Sequence, residues 1–195
     1  MQPDAREDWS DMELIRSFTR GDERAFETLY FRYRRQLYGF LSHLIGNPAE
    51  VDEVFEESWL RVIEKLPQYR EEGRFSAWLF RLSRNLFIDR LRRDARHAGN
   101  VPLDAGRMPE VPGPAAVRPE RNLDSAELEE ALRRAVEALP SEQREVFLLR
   151  QQEFSFKEIA TIQKCPVNTA LGRMQYALKS LRRMLREIDQ GGLIS

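Results

Sequence analysis

Apolar residues recur along this chain at steps of three and four, the spacing that lines one face of an α-helix. No stretch sustains the alternation of a strand, and no Asn-Gly hairpin turn occurs. The pattern predicts an all-α protein. Ser10 followed by Glu13 forms a capping box opening a short helix with Leu14, Ile15 and Phe18, which ends near Gly21. Asp22 is placed to cap a long second helix carrying Phe26, Leu29, Tyr30, Tyr33, Leu37, Phe40, Leu41 and Leu44, closed by Gly46.

Asn47 and Pro48 start a third helix with Val51, Val54, Phe55, Trp59, Val62, Ile63 and Leu66, stopped by Pro67. A fourth is predicted from Ser76 to Arg93, with Trp78, Leu79, Leu82, Leu86, Phe87 and Leu91 inward. Large apolar residues then nearly vanish while prolines and glycines interleave from about Asp94 to Asp124, the composition of a flexible linker. Beyond it, Leu128, Leu132, Val136 and Leu139 mark a fifth helix. Ser141 is expected to cap a sixth, Ser155 with Glu158 opens a seventh, and Pro166 introduces the eighth. The expected organisation is a four-helix domain at 10–95, a linker at 96–124 and a second four-helix domain at 125–187.

The 195 residues, 42% hydrophobic and 32% charged, fit one medium domain or two small ones and exclude a large enzyme. The lone Cys165 cannot form an internal disulfide, and no apolar run approaches the roughly 20 residues that cross a bilayer, so a cytoplasmic protein without a membrane segment is expected. The formal net charge of -1 hides segregation. Seven arginines against two acids lie between Arg74 and Arg96, while Glu50 to Glu57 holds five acids and no base. The basic run Arg173, Lys179, Arg182, Arg183 and Arg186 contains no acid.

Three segments carry candidate chemistry. Phe154 to Arg183 has the rhythm of a helix-turn-helix: a short helix, a break at Lys164 and Cys165, and a longer basic helix. Ala160 falls where the helices must approach, with Ile159, Val167 and Leu171 or Met174 to fill the wedge. The second helix of such a motif enters the major groove, which makes Asn168, Thr169, Gly172, Arg173, Gln175, Tyr176 and Lys179 the candidate DNA contacts. Arg173 has the donors for guanine and Gln175 the amide for adenine. The plainer alternative is a helical hairpin with a solvated basic face.

Gly73 to Arg93 interleaves aromatics and arginines, a combination suited to separated strands because rings stack bases while guanidiniums follow phosphates. Trp78, Arg81, Arg84, Asn85, Arg90, Arg92 and Arg93 are its candidates, although a ring at the helical spacing of Trp78 is more often core than base platform. The acidic helix with Glu53, Glu56, Glu57 and Leu60 reads as a solvated face or as a dock for a basic protein surface. No His/Glu spacing of a zinc or di-iron site accompanies those acids, so neither catalysis nor a cofactor is expected. Cys165 reads as a small apolar residue of the turn.

In order and spacing, Gly21–Leu41, Ser58–Leu66, Phe75–Arg93, Ala138–Arg150 and Phe154–Ala160 resemble the sigma-70 family, specifically its small extracytoplasmic-function (ECF) type. The likeness covers nearly all of the chain outside the linker. It implies a transcription initiation factor with core RNA polymerase, promoter DNA and an anti-sigma protein as partners. Residues 10–95 would dock on polymerase through Glu53, Glu56, Glu57 and Leu60 and open the minus-10 element, with Asn85 matching a base-capturing position. Residues 125–187 would read the minus-35 element.

Several positions depart from the family pattern. Lys164 takes the place of a turn glycine, Leu171 and Gly172 replace a basic residue and serine, Tyr176 replaces a frequent arginine, and Glu56 a glutamine. Two other classes remain at this level: a polymerase-independent regulator of duplex DNA, and a metal-dependent hydrolase on the acidic helix that no ligand spacing supports.

Overall fold

The computed structural model describes residues 6–70, 74–97 and 125–191. Gly73 and the linker from residue 98 to 124 lie outside the described residues, as do the side chains of 125–128 and 187–191. Every regular element described is helical, with no strand among the described residues. The chain divides into two units, Met1–Asp94 and Ala95–Ser195.

In the first unit, helix α1 (Asp11–Phe18) opens with the predicted capping box: Ser10 Oγ accepts from the Glu13 N–H and the Glu13 carboxylate accepts from the Ser10 N–H at 2.7 Å. It buries Leu14 and Ile15 against α2 (Glu23–Ile45). Asp22 stands at the N-cap of α2 but makes no side-chain cap bond, contrary to expectation. Its carboxylate accepts instead from Ser17 Oγ at 2.9 Å and Arg6 Nε at 3.0 Å. Those partners hold it below the usual carboxylate range, the Ser17 bond most of all. A second tie fixes the same corner, because Asp11 accepts from Arg32 at 2.7 Å and from the Tyr33 hydroxyl at 2.6 Å. Burial and the Asp11 carboxylate push the Tyr33 phenol up.

Gly46, at φ +81, ends α2 in a conformation that costs glycine little. Asn47 Oδ1 then caps α3 (Pro48–Lys65) through the Ala49 N–H. A 3₁₀ turn, Leu66–Gln68, carries Pro67 and ends it. Helix α4 spans Phe75–His97, one residue earlier and four later than the sequence predicts. Its Phe80 is fully buried and stacks at 5.1 Å on Phe40 of α2, while Leu79, Leu82 and Phe87 join the same core. Ile63, one of the apolar positions of α3, is 40% exposed.

In the second unit, α5 (Ser125–Glu137) and α8 (Val167–Gly191) share a cluster of Ala135, Val136, Leu139, Ala177 and Leu181. Helix α6 (Ser141–Gln151) starts differently from the expectation: Pro140 occupies the N-cap and its carbonyl accepts from the Gln143 and Arg144 N–H groups, leaving Ser141 as the first helical residue. Helix α7 (Phe156–Gln163) opens with the predicted Ser155/Glu158 capping box. It closes on Lys164 in the left-handed region, at φ 53 and ψ 49. The non-glycine residue therefore adopts the glycine geometry, at about 1–2 kcal/mol of strain. The Cys165 N–H returns to the Ala160 carbonyl at 3.0 Å and completes the turn.

Candidate nucleic-acid interface

Helices α7 and α8 pack as a helix-turn-helix, and the wedge between them is smaller than the sequence suggests. Ile159, Ile162, Ala160 and Ala170 are buried, whereas Val167 and Leu171 are 38% and 37% exposed, and Met174, the alternative to Leu171 in the wedge, is half-buried. Alanines at 170 and 177 repeat at the seven-residue step that keeps one helix face inward, and their lack of bulk lets the backbones approach. Val167 and Leu171 thereby face outward.

Asn168, Thr169, Gln175, Tyr176 and Lys179 are all exposed on α8, with Gly172 half-buried beside them. Arg173 is different. Its Nη2 lies 2.8 Å from Glu142 Oε2, and its Nη1 donates at 2.9 Å to Gln163 Oε1. Gln163 is itself 2% exposed and donates to Glu145 Oε2 at 3.0 Å and to the Glu142 carbonyl at 3.1 Å. This chain joins α6, α7 and α8 at the turn.

Sequence reasoning missed Gln163, Glu142 and Glu145. The available signal was spacing: Gln163 falls four residues after the buried Ile159, where an apolar residue would ordinarily sit. A polar side chain at a core position needs buried partners.

On α4, Trp78, Arg81, Asn85 and Arg92 fall within about 60° of arc on one helix stripe, counting 100° per residue. The Trp78 ring packs against Tyr69 at 5.1 Å and Phe75 at 5.6 Å, which fixes it while leaving it half-buried. Arg93 is exposed at the margin of this stripe, and Arg92 pairs with Asp89 at 3.5 Å. Arg84 departs from the expected phosphate-facing role. It lies about 120° round the helix from Trp78 and is only 3% exposed.

Arg90 also lies off the stripe. It reaches across to α3, pairing with Glu53 and approaching Glu50 Oε1 at 3.8 Å. Glu53 raises the Arg90 pKa further, while burial pushes the Glu50 carboxyl up against the pull of Arg90. Glu53, Glu56, Leu60 and Ile63 form an exposed row on α3, acidic at one end and apolar at the other, with Leu60 63% exposed. Glu57 stands beside the row and pairs with Arg61 at 3.6 Å. Among the described residues there is no group of three or more metal-ligating side chains, and no helix is long and apolar enough to cross a membrane.

Comparison with known proteins matches residues 29–97 to sigma-70 region 2, and residues 129–181 to sigma-70 region 4. The first segment contains the α3 row and the α4 stripe; the second contains the helix-turn-helix. The RNA polymerase sigma-H factor of Pseudomonas aeruginosa is 28% identical over 186 residues, covering 91% of this chain and 96% of that protein. The ECF RNA polymerase sigma factor SigW of Bacillus subtilis is 29% identical over 182 residues, covering 89% and 96%. Among solved structures, the sigma factor RpoE of Bartonella quintana, in complex with the anti-sigma factor NepR, shares the fold. Its TM-score is 0.64 at 20% identity, over 83% of this chain and 96% of that one. The chain therefore belongs to the sigma-70 family and is an RNA polymerase sigma factor of the extracytoplasmic-function type.

Proposed function

We propose that this sigma factor brings core RNA polymerase to its promoters with three separate surfaces. The α3 row of Glu53, Glu56 and Leu60, flanked by Glu57, docks on polymerase. The α4 stripe of Trp78, Arg81, Asn85 and Arg92, with Arg93 at its margin, holds melted minus-10 bases. The exposed face of α8, from Asn168 and Thr169 past Gly172 to Gln175, Tyr176 and Lys179, lies in the major groove of the minus-35 element.

The observation that carries this reading is the α4 stripe, where an amide and three cations follow one another along the side of the helix that begins with an aromatic ring held by its neighbours. A regulator that reads only closed duplex has no use for such a surface, so the polymerase-independent alternative is not favoured. Asn85 supplies both donor and acceptor groups to an exposed base edge, and arginines beside it suit phosphates. Strand opening on this reading needs no bond chemistry from the protein: bases leave the stack at a few kcal/mol each and are held.

Polymerase sets the distance between the units, so that one DNA contact raises the effective concentration for the other. With a formal net charge of -1, the chain alone binds promoters weakly. If roughly 6 to 10 phosphates are contacted in the complete assembly, affinity falls about 10³- to 10⁵-fold between 50 and 200 mM salt. The protein acts in the cytoplasm, where polymerase works. An anti-sigma protein holds it in check, a reading supported by the complex of its structural neighbour with NepR.

Run-off transcription with purified core polymerase and genomic fragments tests the whole reading, and transcripts should appear only when this chain is added. Asn85→Ala should impair open-complex formation more than polymerase binding. Equal loss of both would remove Asn85 from the base-holding surface.

A further inference from the structure

The reading helix carries its cation in the wrong place for guanine. Arg173 is the one arginine between Val167 and Lys179, and its side chain is 18% exposed. Both terminal nitrogens are engaged by acceptors inside the unit, Glu142 Oε2 and Gln163 Oε1. Bidentate recognition of guanine needs two donors of one guanidinium edge aimed into the groove, so Arg173 would have to leave both partners. Gln163 is buried and tied to Glu145 and Glu142, so departure would break a four-residue network.

The face turned outward is uncharged until Lys179. Val167, Asn168, Leu171 and Gln175 lie within about 100° of arc on α8, and Val167 and Leu171 are one turn apart. An aliphatic side chain in the major groove meets one apolar feature on the base edges, the thymine C5 methyl, while amides pair with adenine N6 and N7.

We infer that α8 reads a thymine- and adenine-presenting stretch of the major groove, with Leu171 and Val167 against thymine methyls. Arg173 is then a positioning residue that fixes the pitch of the helix, not a base reader. This rests on the placement of α8 in the minus-35 element.

The test uses the full chain with core polymerase on a promoter library whose upstream element is randomised, sequencing the run-off transcripts. Thymine and adenine should be enriched. Replacing an enriched thymine by deoxyuridine, which lacks only the methyl, should cost about fourfold in promoter affinity, the value of one buried carbon. Leu171→Ala, a change at an exposed side chain, should abolish that sensitivity. Arg173→Ala should weaken binding to all sequences equally, leaving the selected sequence and the salt slope unchanged.

Enrichment of guanine that Arg173→Ala erases would overturn the inference, as would indifference to deoxyuridine. A slope reduced by about 1 in Arg173→Ala, which removes the charge, would mark a phosphate contact and overturn the positioning role. Factor-dependent transcripts with no upstream preference would overturn this inference while leaving the proposed function standing. Absence of any factor-dependent transcript would overturn both.

Discussion

In residues 6–97 the helices are joined by rings. Phe18, Phe26, Trp59, Tyr30, Phe55 and Tyr38 touch in succession with centroids 5.0 to 6.3 Å apart, and Phe40 meets Phe80 behind them. In residues 125–191 the inner face of α8 is lined by Ala170, Ala177 and Leu181, and its angle is fixed by the Glu142–Gln163–Arg173 chain. The first unit gains its rigidity from apolar area, which is non-directional and tolerates irregular neighbours. The second adds to its apolar cluster a set of directional polar bonds at the turn, which permit small residues at the helix crossing but are costly to break when one partner is lost.

That contrast predicts different failures. The largest effect should come from Phe80→Ala, which empties a fully buried ring site and should cost about 3–5 kcal/mol. Stepwise denaturant unfolding should show the transition of the first unit collapsing while that of the second is unmoved. A joint shift of both transitions would mean that the units share their stability.

Gln163→Ala comes next. It removes one acceptor of Arg173 and one donor to the fully buried Glu145, at about 1–3 kcal/mol for the lost buried bonds, all in the second unit. Amide exchange in α7 and α8 is the readout, and unaltered protection would show that the alanine packing alone holds α8. Lys164→Gly should act in the opposite direction, stabilising the same unit by about 1 kcal/mol once relief of left-handed strain is set against glycine's greater chain entropy. A lower melting temperature would contradict that assignment of strain.

The smallest effect concerns pH. Hydrogen bonds from Arg133, then Arg134, hold the Glu130 carboxyl at about 2, below its ordinary 4.5. A carboxylate depressed on folding stabilises fully above its unfolded value and loses that contribution as pH falls through the folded value. Glu130→Gln should therefore flatten the acid limb of the second unit's stability between about 4.5 and 2. The group is at the surface, so raised salt should shrink the difference.

Much of this architecture was legible in the chain because helix punctuation is local. Ser10 with Glu13, Asn47 with Pro48, and Ser155 with Glu158 each declare a helix start within four residues, and each forms as expected. The expectation failed where a side chain had a better partner elsewhere. Asp22 has the right type for a cap, but Ser17 and Arg6 lie closer to its carboxylate, and no local rule anticipates them.

The same limit applies to the interface. Spacing placed Asn168, Gln175 and Lys179 on one exposed face of α8, but could not tell that Glu142, far back in the sequence, would take hold of Arg173. Arg84 and Arg90 are alike in composition and different in surroundings: one is buried, the other bridges to the acids of α3. A count of arginines does not distinguish them.

Gly172 lies on α8 one residue before the anchored Arg173, and a Cβ built there would meet no heavy atom within 4 Å. Larger side chains can therefore be added at that point without repacking anything behind it, provided they retain helical geometry. On the proposed placement of α8 in promoter DNA, drift at this position, together with Leu171 and Tyr176, would let a lineage acquire new promoter preferences while its melting temperature hardly changed. The dialect of the helix can diverge faster than its scaffold.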